Sequence, residues 1–349
     1  MKIINLAIGC DNMPLIDEDN RNIDHQLVDL VKSNFSFSKG LISCKNGKSY
    51  LLWRKDEIES WWRFFEETMD SSLGRKLANS SCDEEELLLG IEDFTPAGLF
   101  KRSKKIHYLL NRWQKFGWGS PDFKTMSINQ SGLSPLFSGL FQASLEWLEQ
   151  NRYKLTWQDS SADRINLNVE KTNFQIAKPE NNLTNIEFRD PLELDIENEW
   201  RIDGQRYHLL SSGIFDRLRT SCLGFTANIS EDERSGWPSI DDVSLSMAIA
   251  SRKNFISGEE IFLAADEDGW VSSICAIFSN KGYGEPIKAE YIDKNGGVEI
   301  MFSETTNIPL LLGLLSAAWS RCEGRPAKVE CDIDKKPLKI RISSKQKIA

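Results

Sequence analysis

The chain has 349 residues, a length that predicts two domains. Hydrophobic residues make up 40% and charged residues 27%, the composition of a soluble globular protein with material for a core in each half. The net charge of −9 argues against a nucleic-acid surface, and no stretch approaches the ~20 apolar residues of a membrane span.

The first ten residues are too short and polar for a secretory segment, and Lys2 to Cys10 reads as a first strand. After a polar loop through Asn22, a helix is predicted over Asp24 to Ser33, with Leu27, Leu30 and Val31 on one face. Gly40 to Cys44 and Ser49 to Trp53 read as a hairpin closed at Lys45-Asn46-Gly47-Lys48. Asp56 is placed to cap one long helix over Glu57 to Asn79, in which Ile58, Trp61, Trp62, Phe65, Met69, Leu73 and Leu77 recur at helical spacing. Gly74 falls inside that pattern at a cost of about 1 kcal/mol against alanine, which close packing would explain. A helix over Lys105 to Phe116 leads into Gly117-Trp118-Gly119. Ser134 is expected to cap, and Pro135 to open, a helix over 135–149 striped with Leu136, Phe137, Leu140, Phe141, Leu145 and Leu148. Strands Tyr153 to Gln158 and Arg164 to Val169 follow, and the polar, proline-broken residues 171–198 read as a linker.

Past the linker, a helix is predicted near Tyr207 to Leu218, then strand-like Cys222 to Ile229 and a turn at Gly236 to Ser239. Asp241 is expected to cap a helix reaching about Lys253. Glu259 to Ala264 and Val271 to Phe278 read as partly strand-like. Gly282-Tyr283-Gly284 then precedes a hairpin through Asn295-Gly296-Gly297. A helix from Pro309 to Arg321, stopped by Gly324, leads to strands Ala327 to Ile333 and Leu338 to Ile342. The basic run Lys335 to Lys347 reads as a solvated tail.

The two halves echo each other. Gly117-Trp118-Gly119-Ser120-Pro121 matches Gly282-Tyr283-Gly284-Glu285-Pro286, and the helices opened by Pro135 and Pro309 share proline, glycine, leucine and alanine at the same offsets. This predicts an α+β fold: two tandem copies of a mostly antiparallel sheet with helices packed on one side, forming a pseudo-dimer. The expected boundaries are 1–170 for the first copy, 171–198 for the linker and 199–349 for the second.

Gly74, Gly117-Trp118-Gly119, and Pro135 with Gly139 resemble the pattern of the vinyl-reductase-type domain, itself similar to small subunits of vesicle-tethering complexes. Gly282-Tyr283-Gly284, Pro309, Gly313, Leu314 and Glu330-Cys331 carry the resemblance in the second half. Leu140 stands one position from the family spacing, and Pro337-Leu338-Lys339-Ile340 lacks the second cysteine common in that family. The resemblance implies a small-molecule-binding or assembly domain with an apolar cavity between helices and sheet.

Catalytic chemistry has little to stand on. His25, His107 and His208 lack a histidine or cysteine at metal-ligand spacing, and Asp266-Glu267-Asp268-Gly269 lacks the carboxylates of a calcium loop. Asp83-Glu84-Glu85-Glu86 reads as a solvated acidic run. No phosphate-cradling or nucleophile-elbow motif occurs, so no cofactor or metal is expected. The seven scattered cysteines fit reduced cytoplasmic thiols. The leading expectation is non-catalytic, sensory-type binding of an apolar small molecule by Trp118, Phe137, Phe141, Tyr283 and Trp319. The alternative is a scaffold with filled cores and a protein partner, and an enzyme of unknown reaction ranks third.

Overall fold

The computed structural model describes residues 22–45, 47–92, 94–161, 163–173, 190–333 and 335–346. The expected first strand, residue 46 of the hairpin turn and most of the linker lie outside them.

The first half runs α1 (His25–Asn34), β1 (Phe35–Ser38), β2 (Leu41–Cys44), β3 (Ser49–Arg54), α2 (Lys55–Met69), α3 (Gly74–Ile91), α4 (Lys101–Phe116), β4 (Ser120–Asp122), β5 (Ser127–Asn129), α5 (Ser134–Glu149), β6 (Arg152–Ser161) and β7 (Arg164–Thr172). The second runs β8 (Arg201–Ile202), β9 (Gln205–Ser211), α6 (Ser212–Cys222), α7 (Glu231–Arg234), α8 (Asp242–Ser257), α9 (Glu267–Ile277), β10 (Pro286–Tyr291), β11 (Val298–Phe302), α10 (Ile308–Glu323), β12 (Ala327–Cys331) and β13 (Leu338–Ser344). The fold is α+β, with its described strands in antiparallel sheets. A central sheet is ordered β1-β2-β3-β9-β8, and two flanking sheets are ordered β4-β5-β7-β6 and β10-β11-β13-β12. No helix among the described residues is long and apolar enough to cross a membrane.

From β3 and from β9 onward the halves follow one order. A central strand enters a helix directly, and two more helices lead to a Gly-aromatic-Gly turn. Then come two strands, the proline-opened helix and a final hairpin, with the short α7 added in the second half. β3 and β9 pair antiparallel, joining the halves through backbone hydrogen bonds. In both halves the proline-opened helix packs against the second long helix past the central strand, α5 on α3 and α10 on α8. A Cβ on Gly139 of α5 would collide with the Ala78 carbonyl of α3, and one on Gly313 of α10 with the Ala248 carbonyl of α8. Backbone touches backbone at both crossings, so only glycine fits.

Several elements differ from expectation. The long helix is two helices, because Asp70 turns left-handed (φ 48°) and the Glu66 carboxylate captures the Leu73 N–H at 2.7 Å. Gly74 therefore starts α3, and an added Cβ would meet Trp157 at an ordinary 3.5 Å, so close packing does not explain it. Asp56 binds Arg54 (2.5 Å) instead of capping, and Ser134 donates to Asp159 from inside the first turn of α5. Tyr207 to Leu218 divides into β9 and α6, because pairing with β3 overrides local helical spacing. Cys222 to Ile229 leaves α6 without forming a strand, and its Asn228 N–H bonds the Thr68 carbonyl at 3.0 Å. Glu259 to Ala264 is irregular, and Val271 to Ile277 lies in α9, which Asp266 caps by accepting the Gly269 N–H (2.7 Å).

β7 extends through Thr172, two residues into the expected linker. The far end of that segment lies along β1: Phe37 N–H bonds Asp190 O (2.8 Å), and Leu192 N–H bonds Phe35 O (2.9 Å). Leu192 and Ile196 are buried there.

Candidate functional site

The five aromatic residues chosen from sequence are all buried. Trp118 stacks on Phe116 (centroids 4.6 Å apart) and donates its indole N–H to the Leu209 carbonyl of β9 at 2.9 Å. Phe141 packs on Phe123 and meets Trp113, which Trp118 also touches edge-on. Phe137 lies edge-on to His208. Tyr283 and Trp319 belong to the second half. Burial, then Glu57 and Glu260, push the Tyr283 phenol pKa up, and Trp319 donates to the Gly296 carbonyl at 2.7 Å. Trp118 and Phe141 thus share Trp113 as a neighbour. None of the five lines the clefts described next.

Two clefts occupy the same place in the two halves. The first, about 590 Å³, is walled by Leu87, Gly90 and Ile91 of α3, by Ala143, Glu146 and Trp147 of α5, and by Asn151 and Arg152 at the start of β6. The second, about 880 Å³, is walled by Arg252, Lys253 and Ile256 of α8, by Ser320 near the end of α10, and by Arg325, Pro326 and Ala327 leading into β12. Phe64, Trp237 and Lys345 complete it. When Gly139 is matched to Gly313, Glu146 falls on Ser320, Gln150 on Gly324 and Asn151 on Arg325, all cleft residues.

Their electrostatics differ. In the first cleft Arg152 bonds Glu86 (2.6 Å) and Glu146 (2.6 Å), and its charged lining sums to −1. In the second, Arg252, Lys253, Arg325 and Lys345 outnumber Asp232 and Glu233, a sum of +2. Arg252 pairs with Glu233 (2.8 Å) and lies over the Trp237 ring at 5.3 Å, whose indole N–H also donates to Glu233. Burial opposes ionisation of Glu233, but the Arg252 and Trp237 bonds outweigh it and lower its pKa.

The acidic run expected to be solvated proves partly buried: Glu84 and Glu85 are 1% and 0% exposed. Arg112 clamps Glu85 at 2.6 and 2.8 Å and also reaches Glu92, so burial pushes the Glu85 pKa up while Arg112 restrains it. Glu84 accepts from Ser211 (2.7 Å) and Arg217 (2.8 Å), tying α3 to the other half. Lys281 likewise reaches Glu57 of α2 at 3.0 Å and Glu260 at 2.8 Å. The missed signal was helical spacing: Leu77, Ser81, Glu84 or Glu85, and Leu88 fall on the inward face of α3.

His208 is fully buried in β9. Its Nδ1–H donates to the Gly117 carbonyl at 2.6 Å, Nε2 has no partner, and burial lowers its pKa to about 3. Burial raises the thiol pKa values of Cys82, Cys222, Cys275, Cys322 and Cys331, which weakens them as nucleophiles. No cluster of three or more histidine, cysteine, aspartate or glutamate residues able to hold a metal occurs among the described residues. Compared with known proteins, the chain matches no family model, no curated protein and no solved structure.

Proposed function

We propose that this chain is an internally duplicated, non-catalytic binding protein whose ligands occupy the two equivalent clefts, while the buried aromatic residues fill the cores. The observation that carries this reading is the recurrence of one cleft between matching helices and strand starts in both halves. Both volumes suit a small organic ligand. In the first cleft, Leu87, Ile91, Ala143 and Trp147 offer an apolar wall and Arg152 a charged end. An amphipathic molecule fits that surface better than a wholly apolar one. The recurring order of elements, with a Gly-aromatic-Gly turn before two strands and a proline-opened helix, also supports a kinship with vinyl-reductase-type domains. Cys82, Cys222, Cys275, Cys322 and Cys331, thiols among the described residues, favour a reducing, cytoplasmic setting.

Native mass spectrometry of the protein purified without added ligand tests this. Gly90 of α3 opens on the first cleft, and an added Cβ there meets nothing within 4 Å. Gly90→Trp should fill the cleft without disturbing the core. A retained small-molecule adduct that disappears in folded Gly90→Trp supports the proposal. An adduct retained at unchanged stoichiometry moves the site elsewhere, whereas loss of the first-cleft equivalent alone leaves the second cleft occupied.

A scaffold role has its own support. Leu99 and Phe100 are 81% and 79% exposed just before α4, and Ile261 and Leu263 are 76% and 73% exposed just before α9. Matching loops thus present apolar pairs in both halves, a pattern suited to a protein partner.

A further inference from the structure

A separate cluster lies where the β8–β9 hairpin meets the Gly117 turn. Arg201 and Arg206 are cross-strand partners in that hairpin. Like charges directly opposite one another destabilise a hairpin unless something neutralises them. Arg206 borders two adjoining clefts, of about 300 and 410 Å³, which also share Gln130 and Glu199. Its Nε is buried and has no hydrogen-bond partner, and burial lowers the arginine's pKa. Arg206 is half-buried, and a guanidinium partly withdrawn from water without a bonded counter-ion is costly.

The neighbouring carboxylates supply only part of that charge: Glu199 and Asp163 attract the guanidinium, but neither bonds it and burial outweighs both. Asp163 is held by Lys55 at 2.5 Å. Glu199 accepts from Gln130 at 2.5 Å and lies 3.7 Å from Arg201. Asp56 is bound by Arg54, and Asp24 caps α1 through the Leu27 N–H. Glu59, on the rim of the larger cleft, is the remaining acid in the lining. Leu110, 40% exposed, gives the smaller cleft an apolar wall beside Arg206, with the buried Trp200 behind it.

We infer that Arg206, assisted by Arg201, is the receptor for the carboxylate of a small organic acid whose apolar body lies against Leu110. The carboxylate accepts from Arg206 and relieves the repulsion across the hairpin. A neutral amide of the same shape leaves the arginine pair uncompensated.

Titration of the full chain with benzoate at constant ionic strength, followed by tryptophan fluorescence, tests the assignment, with benzamide as the neutral control. Benzoate should give a saturable change and benzamide none. Arg206→Ala should weaken benzoate binding by about tenfold or more, with partial recovery in Arg206→Lys. Should Arg206→Ala fail to fold, Glu59→Gln on the rim decides, since removing a facing negative charge should tighten binding. Absence of a saturable benzoate signal, equal binding of benzamide, unchanged affinity in folded Arg206→Ala, or unchanged affinity in Glu59→Gln would overturn the assignment.

Discussion

Leu52 of β3 lies directly opposite Leu209 of β9, and the ladder extends evenly to either side, with Tyr50 facing Ser211 and Arg54 facing Tyr207. Each strand runs straight into a helix, so this pairing sets the relative placement of both helical layers. The Gly-aromatic-Gly turns then cross over. A Cβ on Gly117 would come within 2.8 Å of the Tyr207 carbonyl, and one on Gly282 would collide with the Tyr50 carbonyl. Each turn therefore docks on the central strand of the other half. Both glycines also have positive φ, at 74° and 96°.

Substitutions at glycine should separate close approach from helix propensity. Gly139→Ala drives a methyl into the Ala78 carbonyl and should cost about 1–3 kcal/mol, as overpacked cores do. Gly90→Ala meets nothing within 4 Å and should gain about 0.5–1 kcal/mol from lower unfolded-state entropy. Urea unfolding of the two variants beside the parent checks both signs. Equal effects at the two positions would refute the packing account.

The buried pair between Glu84 and Arg217 should be costly to break on one side only. Glu84 is 1% exposed and also accepts from Ser211, so Glu84→Ala removes the charged acceptor of both groups. A loss of about 3–5 kcal/mol is expected, with a smaller loss for Arg217→Met, because that side chain is 20% exposed. A double-mutant cycle should give a coupling energy well above that of a surface ion pair. Additive losses would mean that the two halves are not coupled through this contact.

The parts of the fold readable in sequence were those set by local chemistry. Pro309 opens α10, Gly324 ends it left-handed, and Asn295-Gly296-Gly297 turns the β10–β11 hairpin. β9 was not readable, because Tyr207, Leu210, Ile214 and Leu218 share helical spacing and only distant pairing with β3 makes the first part extended. Val271 to Phe278 reads as partly strand-like from its apolar run, although the three-residue spacing of Val271, Ile274 and Ile277 and the Asp266 cap belong to a helix. The clefts leave no mark in the sequence because each is assembled from two helices and a strand start, none carrying a motif. Glu84 and Glu85 were hidden inside a run of charge whose neighbours face water differently around the helix.

His208 should make stability depend on pH through one buried side chain. Its folded pKa is about 3, against 6.5 for the exposed imidazole, because burial disfavours the charged ring and the neighbouring Arg206 and Lys55 add repulsion. The unfolded chain therefore binds the proton more readily between those values. This contribution is complete above pH 6.5 and is lost as pH falls towards 3, at about 1.4 kcal/mol per unit. His208→Gln can keep a donor to the Gly117 carbonyl while removing the titration. Between pH 6.5 and 5 the parent should lose about 2 kcal/mol more than His208→Gln in urea unfolding. Carboxylates that titrate in the same range act on both proteins, so the difference between the two slopes isolates the imidazole. Parallel slopes would show that His208 protonates as readily in the folded chain as in the unfolded one.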